Sequence, residues 1–261
     1  MKNFNLKSAT NSKEAAKMAT GRATFLAGGM TLVPAMKLRL AAYSDLINIK
    51  KIKALSGIKV SSKSLKIGAT TTHAEVSSSK EVGKSISSLA ILADGIGDPQ
   101  VRNRGTIGGS IANNDPAADY PSACLALNAI IHTSKRKIPA DKFFKGIFET
   151  DLKKGELIEA VEFEVPEKSS YAKFPNPASR YAIVGVYVAK LKTGVRVAVT
   201  GVESCVFRCK KLEDALSSNF STSAIDSINI SSKGFNSDIH ASADYRAHII
   251  KVMAKKAVSN C

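Results

Sequence analysis

Two glycine clusters are the residues in this sequence best suited to chemistry. The first, F-L-A-G-G-M-T-L-V-P at 25–34, is an apolar run that ends in Gly28-Gly29, passes through the hydroxyl of Thr31 and continues as a helical turn. That order leaves backbone N–H groups free where a helix starts, which is how a chain holds phosphate without a charged side chain. The second, V-R-N-R-G-T-I-G-G-S-I-A-N-N-D-P-A-A-D, spans 101–119. There Gly105, Gly108 and Gly109 let the backbone approach a ligand closely. Thr106, Ser110 and Asn113 offer neutral hydrogen bonds, and Asp119 can accept one from a ribose or another hydroxyl. One such cluster is as readily a tight turn as a binding loop. Two of them, both rich in hydroxyls, favour a bound dinucleotide.

Other chemistries find no support. The chain has no G-x-G-x-x-G, Walker A, H-E-x-x-H or G-x-S-x-G motif. None of its four histidines (73, 132, 240, 248) stands near a Ser or Cys in a nucleophile pattern. Cys205 and Cys209 form a C-x3-C pair, and Cys124 and Cys261 are isolated. This is neither a zinc nor an iron–sulfur ligand spacing, so the cysteines read as ordinary, mostly buried thiols. No residue is assigned a catalytic or metal-ligating role.

The elements that position these loops follow from pattern. A helix is expected over 12–20, capped by Ser12, and a buried strand over 23–27. Strands follow at 45–49 and 64–69. Helices are expected from 72 and, with a 3.6-residue apolar period, over 81–97. The apolar run from Ala118 reads as a helix leading into a strand, and 157–165 reads as another strand. The segment 166–180, with three Pro and three Ser, reads as a linker or domain boundary. Beyond it, 181–191 and 194–202 form an antiparallel pair turning at Lys192-Thr193-Gly194. Two helices close the chain, the last with Tyr245, Ile249, Val252 and Met253 on its apolar face.

With 261 residues, about two domains are expected. Lys and Arg number 38 against 22 Asp and Glu, a net charge of +16. These charges are scattered in twos and threes with no long run, and there is no Trp. That favours a solvated basic surface over a nucleic-acid site. The polar start lacks the apolar core of an export signal, so a cytoplasmic location is expected.

AGGMTLVPAMKLRL, IGATTTHAEV, and IGDPQVRNRGTIGGSIANNDPAADYPSA together resemble the FAD-binding medium subunits of the molybdenum hydroxylases. The similarity continues through FFKGIFETDLKKGELI, KFPNPASRYAIVGVYVA and SADYRAHIIKVMAKKAV, and is nearest to carbon monoxide dehydrogenase medium chains, with xanthine dehydrogenase FAD domains as relatives. The resemblance implies an α+β chain with a vanillyl-alcohol-oxidase-like (PCMH-type) FAD domain over 1–165. That domain would have two α/β subdomains, about 1–55 and 56–165, followed by an antiparallel-sheet-and-helix domain over 166–261. It implies that Ala27, Gly28, Gly29, Met30, Thr31 and Leu32 wrap the FAD pyrophosphate. Thr106, Ile107, Gly108, Gly109 and Ser110, with Asn113, would form the second loop, and Asp119 would bond the cofactor. Ile96 and Ile158 match contact positions, and Tyr181 a tyrosine beside the isoalloxazine. Met30 departs from the usual small or polar residue, and Asn113 stands where His is expected.

The implied function is an electron relay. A small subunit with [2Fe-2S] clusters and a large subunit with the molybdenum cofactor would be its partners, in a dimer of heterotrimers. Electrons would leave for quinone or NAD, with peripheral contact at the inner face of the membrane as one location. The alternatives are an FAD subunit acting on xanthine, an aldehyde, an N-heterocycle or an aromatic acyl-CoA, and a flavin-free basic module binding nucleic acid or anions.

Overall fold

A computed structural model describes residues 1–261. The chain opens with a strand–helix repeat: β1 (Asn5–Ser8), α1 (Ser12–Met18), β2 (Ala23–Leu26), α2 (Leu32–Lys37) and β3 (Asp45–Asn48). The strands pair in parallel in the order β1-β3-β2. Parallel strands need crossovers, and the two short helices supply them. Asn11, not Ser12, caps α1, its side chain accepting the N–H of Glu14 at 3.0 Å. Ala15, Ile47, Ile49 and Leu55 form a small core beneath.

A second sheet runs β4 (Ile58–Val60), β5 (Ser64–Gly68), β10 (Ile158–Glu164), β6 (Ile130–Thr133), β7 (Lys137–Pro139) in space, all antiparallel. Between β5 and β6 come six helices: α3 (His73–Ser78), α4 (Lys80–Ser85), α5 (Ser87–Asp94), α6 (Pro99–Arg102), α7 (Ile107–Asn113) and α8 (Tyr120–Ala126). Thr72 and Glu75 form a reciprocal capping box that starts α3. The periodic stretch 81–97 is two helices, broken at Ile86. A ribbon of β8 (Phe144–Gly146) and β9 (Glu149–Thr150) stands out between β7 and β10. Leu65, Ile67, Val161 and Phe163 turn one face of the sheet into the largest core, against α5, α7 and α8.

The third sheet is β11 (Lys168–Pro175), β12 (Ala182–Leu191), β13 (Gly194–Thr200) and β14 (Phe207–Arg208), with α9 (Lys210–Ser218) and α10 (Ala243–Ser259). Two features here differ from the expectation. The stretch read as a linker or domain boundary is no linker: it contains β11, paired along its length with β12. Serine and proline misled because the strand is an edge, where a proline at its end is tolerated. In α10, Tyr245 and Val252 are exposed, while Arg246, Ile250 and Ala254 join Ile249 and Met253 inside. Arg246 is tolerated inside because its two terminal nitrogens are occupied: Nη1 donates to the carbonyls of Ile183 and Gly201 at 2.6 and 2.7 Å, and Nη2 to Asp238 at 2.7 Å. No helix is long and apolar enough to cross a membrane.

Candidate functional site

The first glycine cluster joins the carboxyl end of β2 to α2, the place where parallel strands present ligand-binding loops. Gly29 takes φ +75°, open to glycine, and Met36 buries α2 in the sheet. Val33 donates to Gly29 and Ala35 to Thr31, so the helix begins there. The N–H groups of Ala27, Gly28, Gly29, Met30 and Thr31 have no acceptor in the chain. Five successive unmet donors along one turn form a ready anion cradle. The side chain of Met30 is exposed, so its bulk leaves this row undisturbed.

The second cluster lies directly against the first. A Cβ placed on Gly28 would collide with the carbonyl of Arg104 and come within 2.9 Å of the Gly105 Cα. Backbone bonds pin this loop to the turn before α3: His73 N–H to Gly105 at 3.0 Å and Ile107 N–H to Thr71 at 3.1 Å. Thr106 caps α7 by accepting from the Gly109 N–H at 3.2 Å. The Gly108 N–H donates to the Ala69 carbonyl at 2.9 Å, and a Cβ on Gly108 would stand 2.6 Å from that of Ala69. The close approach at Gly108 is therefore to the chain's own strand end, and Ile107 is wholly in the core. The open surface of the loop is Gly109, with Ser110 and Asn113 half-buried beside it and their side chains unpartnered.

Asp119 stands at the start of α8, beyond the second cluster. It is buried, accepts from the Tyr171 hydroxyl, and receives Lys173 Nζ at 3.1 Å. Tyr171 and Lys173 are two apart on β11, so both reach the same face of the sheet. Burial holds the Asp119 carboxyl above the usual range, against the pull of the Lys173 charge and the Tyr171 hydroxyl. Lys173 also donates to the carbonyls of Gly95 at 2.8 Å and Arg180 at 3.0 Å. Arg102 takes the Ile96 and Gly97 carbonyls, each at 3.1 Å, and Arg180 takes Gly97 at 3.0 Å. Three cations thus fix the turn that holds Ile96. Tyr181 follows Arg180 and is exposed. Ile158 is buried at the start of β10, next to Glu159, whose carbonyl accepts the Ala69 N–H at 2.9 Å. It therefore lies behind the second loop.

The family model described as the FAD binding domain in molybdopterin dehydrogenase matches residues 2–167. The chain belongs to the FAD-binding subunits of the molybdenum hydroxylases. It is 36% identical over 252 residues to the glyceraldehyde dehydrogenase medium chain of Sulfolobus acidocaldarius, covering 89% of this chain and 88% of that one. It is 34% identical over 256 residues to the carbon monoxide dehydrogenase medium chain of Hydrogenophaga pseudoflava, covering 91% and 88%. A solved carbon monoxide dehydrogenase chain from the same organism superposes with a TM-score of 0.90 at 31% identity, over 99% of this chain and 97% of that one.

The groups of this FAD subunit fit the cofactor. The N–H row suits a pyrophosphate, and the unpartnered Ser110 and Asn113 side chains suit neutral hydroxyls. Reading by glycine motif misses three residues here: Lys173 and Tyr171, on the supposed linker, and His73. The His73 ring packs against Gly105 and tilts onto Tyr120 at 5.4 Å, with Nδ1 buried and unpartnered. Only the T-T-T-H string before a helix hinted at it.

Burial, aided by the nearby Arg102 charge, lowers the His73 pKa from 6.5 to about 4. The unfolded chain therefore binds more protons than the folded one between these values, and stability falls as pH drops through that window. The expected loss is about 3 kcal/mol in all. His73→Gln should remove this part of the slope in urea titrations run from pH 7 downward; an unchanged slope would assign it elsewhere.

Proposed function

We propose that this chain holds FAD at the junction of the two glycine loops and relays electrons from [2Fe-2S] clusters of a small partner subunit to quinone or NAD. The observation that carries the reading is the row of five unmet N–H donors, Ala27 to Thr31, set against the Arg104–Gly105 backbone. In this reading Leu32 begins the helix behind the row, and Gly109, Ser110 and Asn113 line the opposite wall, with Thr106, Ile107, Gly108 and Asp119 packed behind them. Ile96 and Tyr181 bound the ring ends, and Ile158 supports the second loop from behind. When bound, FAD supplies the exchange between paired and single electrons. The chain's own residues bind, orient and shield it: the N–H row holds the negative end, and Lys173 keeps the buried Asp119 compensated.

The substrate belongs to the large molybdenum-bearing partner. Relatives 36%, 34% and 32% identical to this chain are named for glyceraldehyde, carbon monoxide and nicotine, so one medium-chain fold serves three chemistries. The change of sheet between β10 and β11 supports the division of the chain at 165/166. Contact with the inner membrane face, to meet quinone, belongs to the same proposal. An absorption spectrum of the chain co-expressed with its partners tests it. Heat-released FAD together with iron–sulfur bands is the expected result; a colourless chain that takes up no added FAD would refute it.

A further inference from the structure

Gly28 and Gly105 are glycines for contact, not for conformation: neither lies in the left-handed region of φ. At Gly28 a Cβ would meet the Arg104 carbonyl and the Gly105 Cα. At Gly105 it would stand 2.6 Å from His73 Nε2 and 2.8 Å from Cδ2. No side chain fits between the His73 ring and Gly105, and none between Gly105 and Gly28. The three residues form a series of contacts that runs from the core to the turn carrying the N–H row.

The ring is itself held in place. Tyr120, fully buried in α8, meets it at 5.4 Å between ring centres. The backbone on either side is pinned to the second loop. Thr72 bridges Thr106, and the His73 N–H donates to the Gly105 carbonyl at 3.0 Å. Thr72 and Glu75 fix the start of α3, the Thr72 N–H donating to Glu75 Oε2 at 2.7 Å and the Glu75 N–H to Thr72 Oγ1 at 3.2 Å. The ring cannot retreat without moving α3 or α8. Its Nδ1 is buried without a partner, which costs stability, so core packing alone would favour an apolar residue here.

We infer that His73 is a positioning residue for the cofactor: its ring holds Gly105 against Gly28 and so sets the separation of the two loops at whose junction FAD is held. The inference rests on the FAD-holding reading. His73 acts through Gly105 rather than by touching the cofactor. An interior packed this closely passes a displacement on instead of absorbing it. Removing the ring lets Gly105 fall back from Gly28, and a side chain on Gly105 drives the loop off the ring.

The test is a double-mutant cycle read in FAD affinity. The complex obtained by co-expression with its partners is freed of flavin and titrated with FAD, and the Tm of each flavin-free preparation is recorded. His73→Ala should weaken FAD binding about tenfold, and Gly105→Ala, whose methyl collides with the ring, by a similar factor. The double variant His73→Ala/Gly105→Ala should bind FAD more tightly than either single variant. Its methyl occupies space that the ring has left and meets only the Val101 carbonyl, at 3.2 Å. His73→Gln repeats the cycle with a side chain that fills the site and can bend away from the methyl, so the result does not depend on the smallest variant folding. A structural role alone would lower Tm and leave the FAD affinity of the folded protein where it was; that outcome would overturn the inference. A double variant whose losses in affinity simply add would overturn it too. An unmodified complex that takes up no FAD would instead refute the FAD-holding reading itself.

Discussion

A chain carrying Gly28→Ala is expected to purify folded but without flavin. The new methyl would collide with the Arg104 carbonyl and crowd the Gly105 Cα, both backbone groups that cannot rotate aside. Overpacking of this kind typically costs about 1–3 kcal/mol, met here by parting the two loops. Separation turns the N–H row of Ala27 to Thr31 away from the opposite wall. A loss of about 2–3 kcal/mol in cofactor binding is a fall of roughly 30- to 150-fold in affinity. The comparison is Gly109→Ala, whose new methyl meets only the Thr106 hydroxyl, at 2.9 Å. It should leave the loops joined and weaken binding less. Flavin absorbance per chain, read beside far-ultraviolet circular dichroism, decides the matter; stoichiometric FAD on the Gly28→Ala chain would remove the loop junction from the site.

The second large effect is expected at Lys173→Met. The methionine leaves Asp119 buried without its cation, and strips the Gly95 and Arg180 carbonyls of a donor. Removing one member of a buried pair costs about 3–5 kcal/mol. For a chain of this size that corresponds to a fall in Tm of roughly 10 °C. The adjacent Tyr171 hydroxyl cannot replace the charge. Adding Asp119→Asn should restore part of the loss, because the second substitution removes the uncompensated carboxylate. Equal instability of the single and double variants would show that the two side chains are not coupled.

Much of this arrangement is legible in the sequence, and the parts that are not share a cause. The loop between β2 and α2 is visible because an apolar run, two glycines and a helical turn are local signals. Asp119 is visible as an acid near a glycine loop. Its partners Tyr171 and Lys173 are not, because they come from 52 and 54 residues away on a strand disguised by serine and proline. The buried face of α10 is hidden in the sequence for a related reason: Arg246 has a surface residue's chemistry, and the two distant carbonyls and Asp238 that receive it come from elsewhere in the chain. Gly108 shows the converse. Its type signals close approach correctly, but only the fold reveals that Ala69 is what approaches.

The unmet N–H groups between β2 and α2 have a further consequence. Without an anion to gather them, they leave this turn held by few internal bonds, so it is a segment expected to open readily. Ligand binding stabilises the closed form by mass action, in proportion to the logarithm of free FAD over its dissociation constant. The turn thereby becomes the natural point of entry for a protease on newly made chains. Free FAD would then govern how long the subunit survives as well as whether it can work.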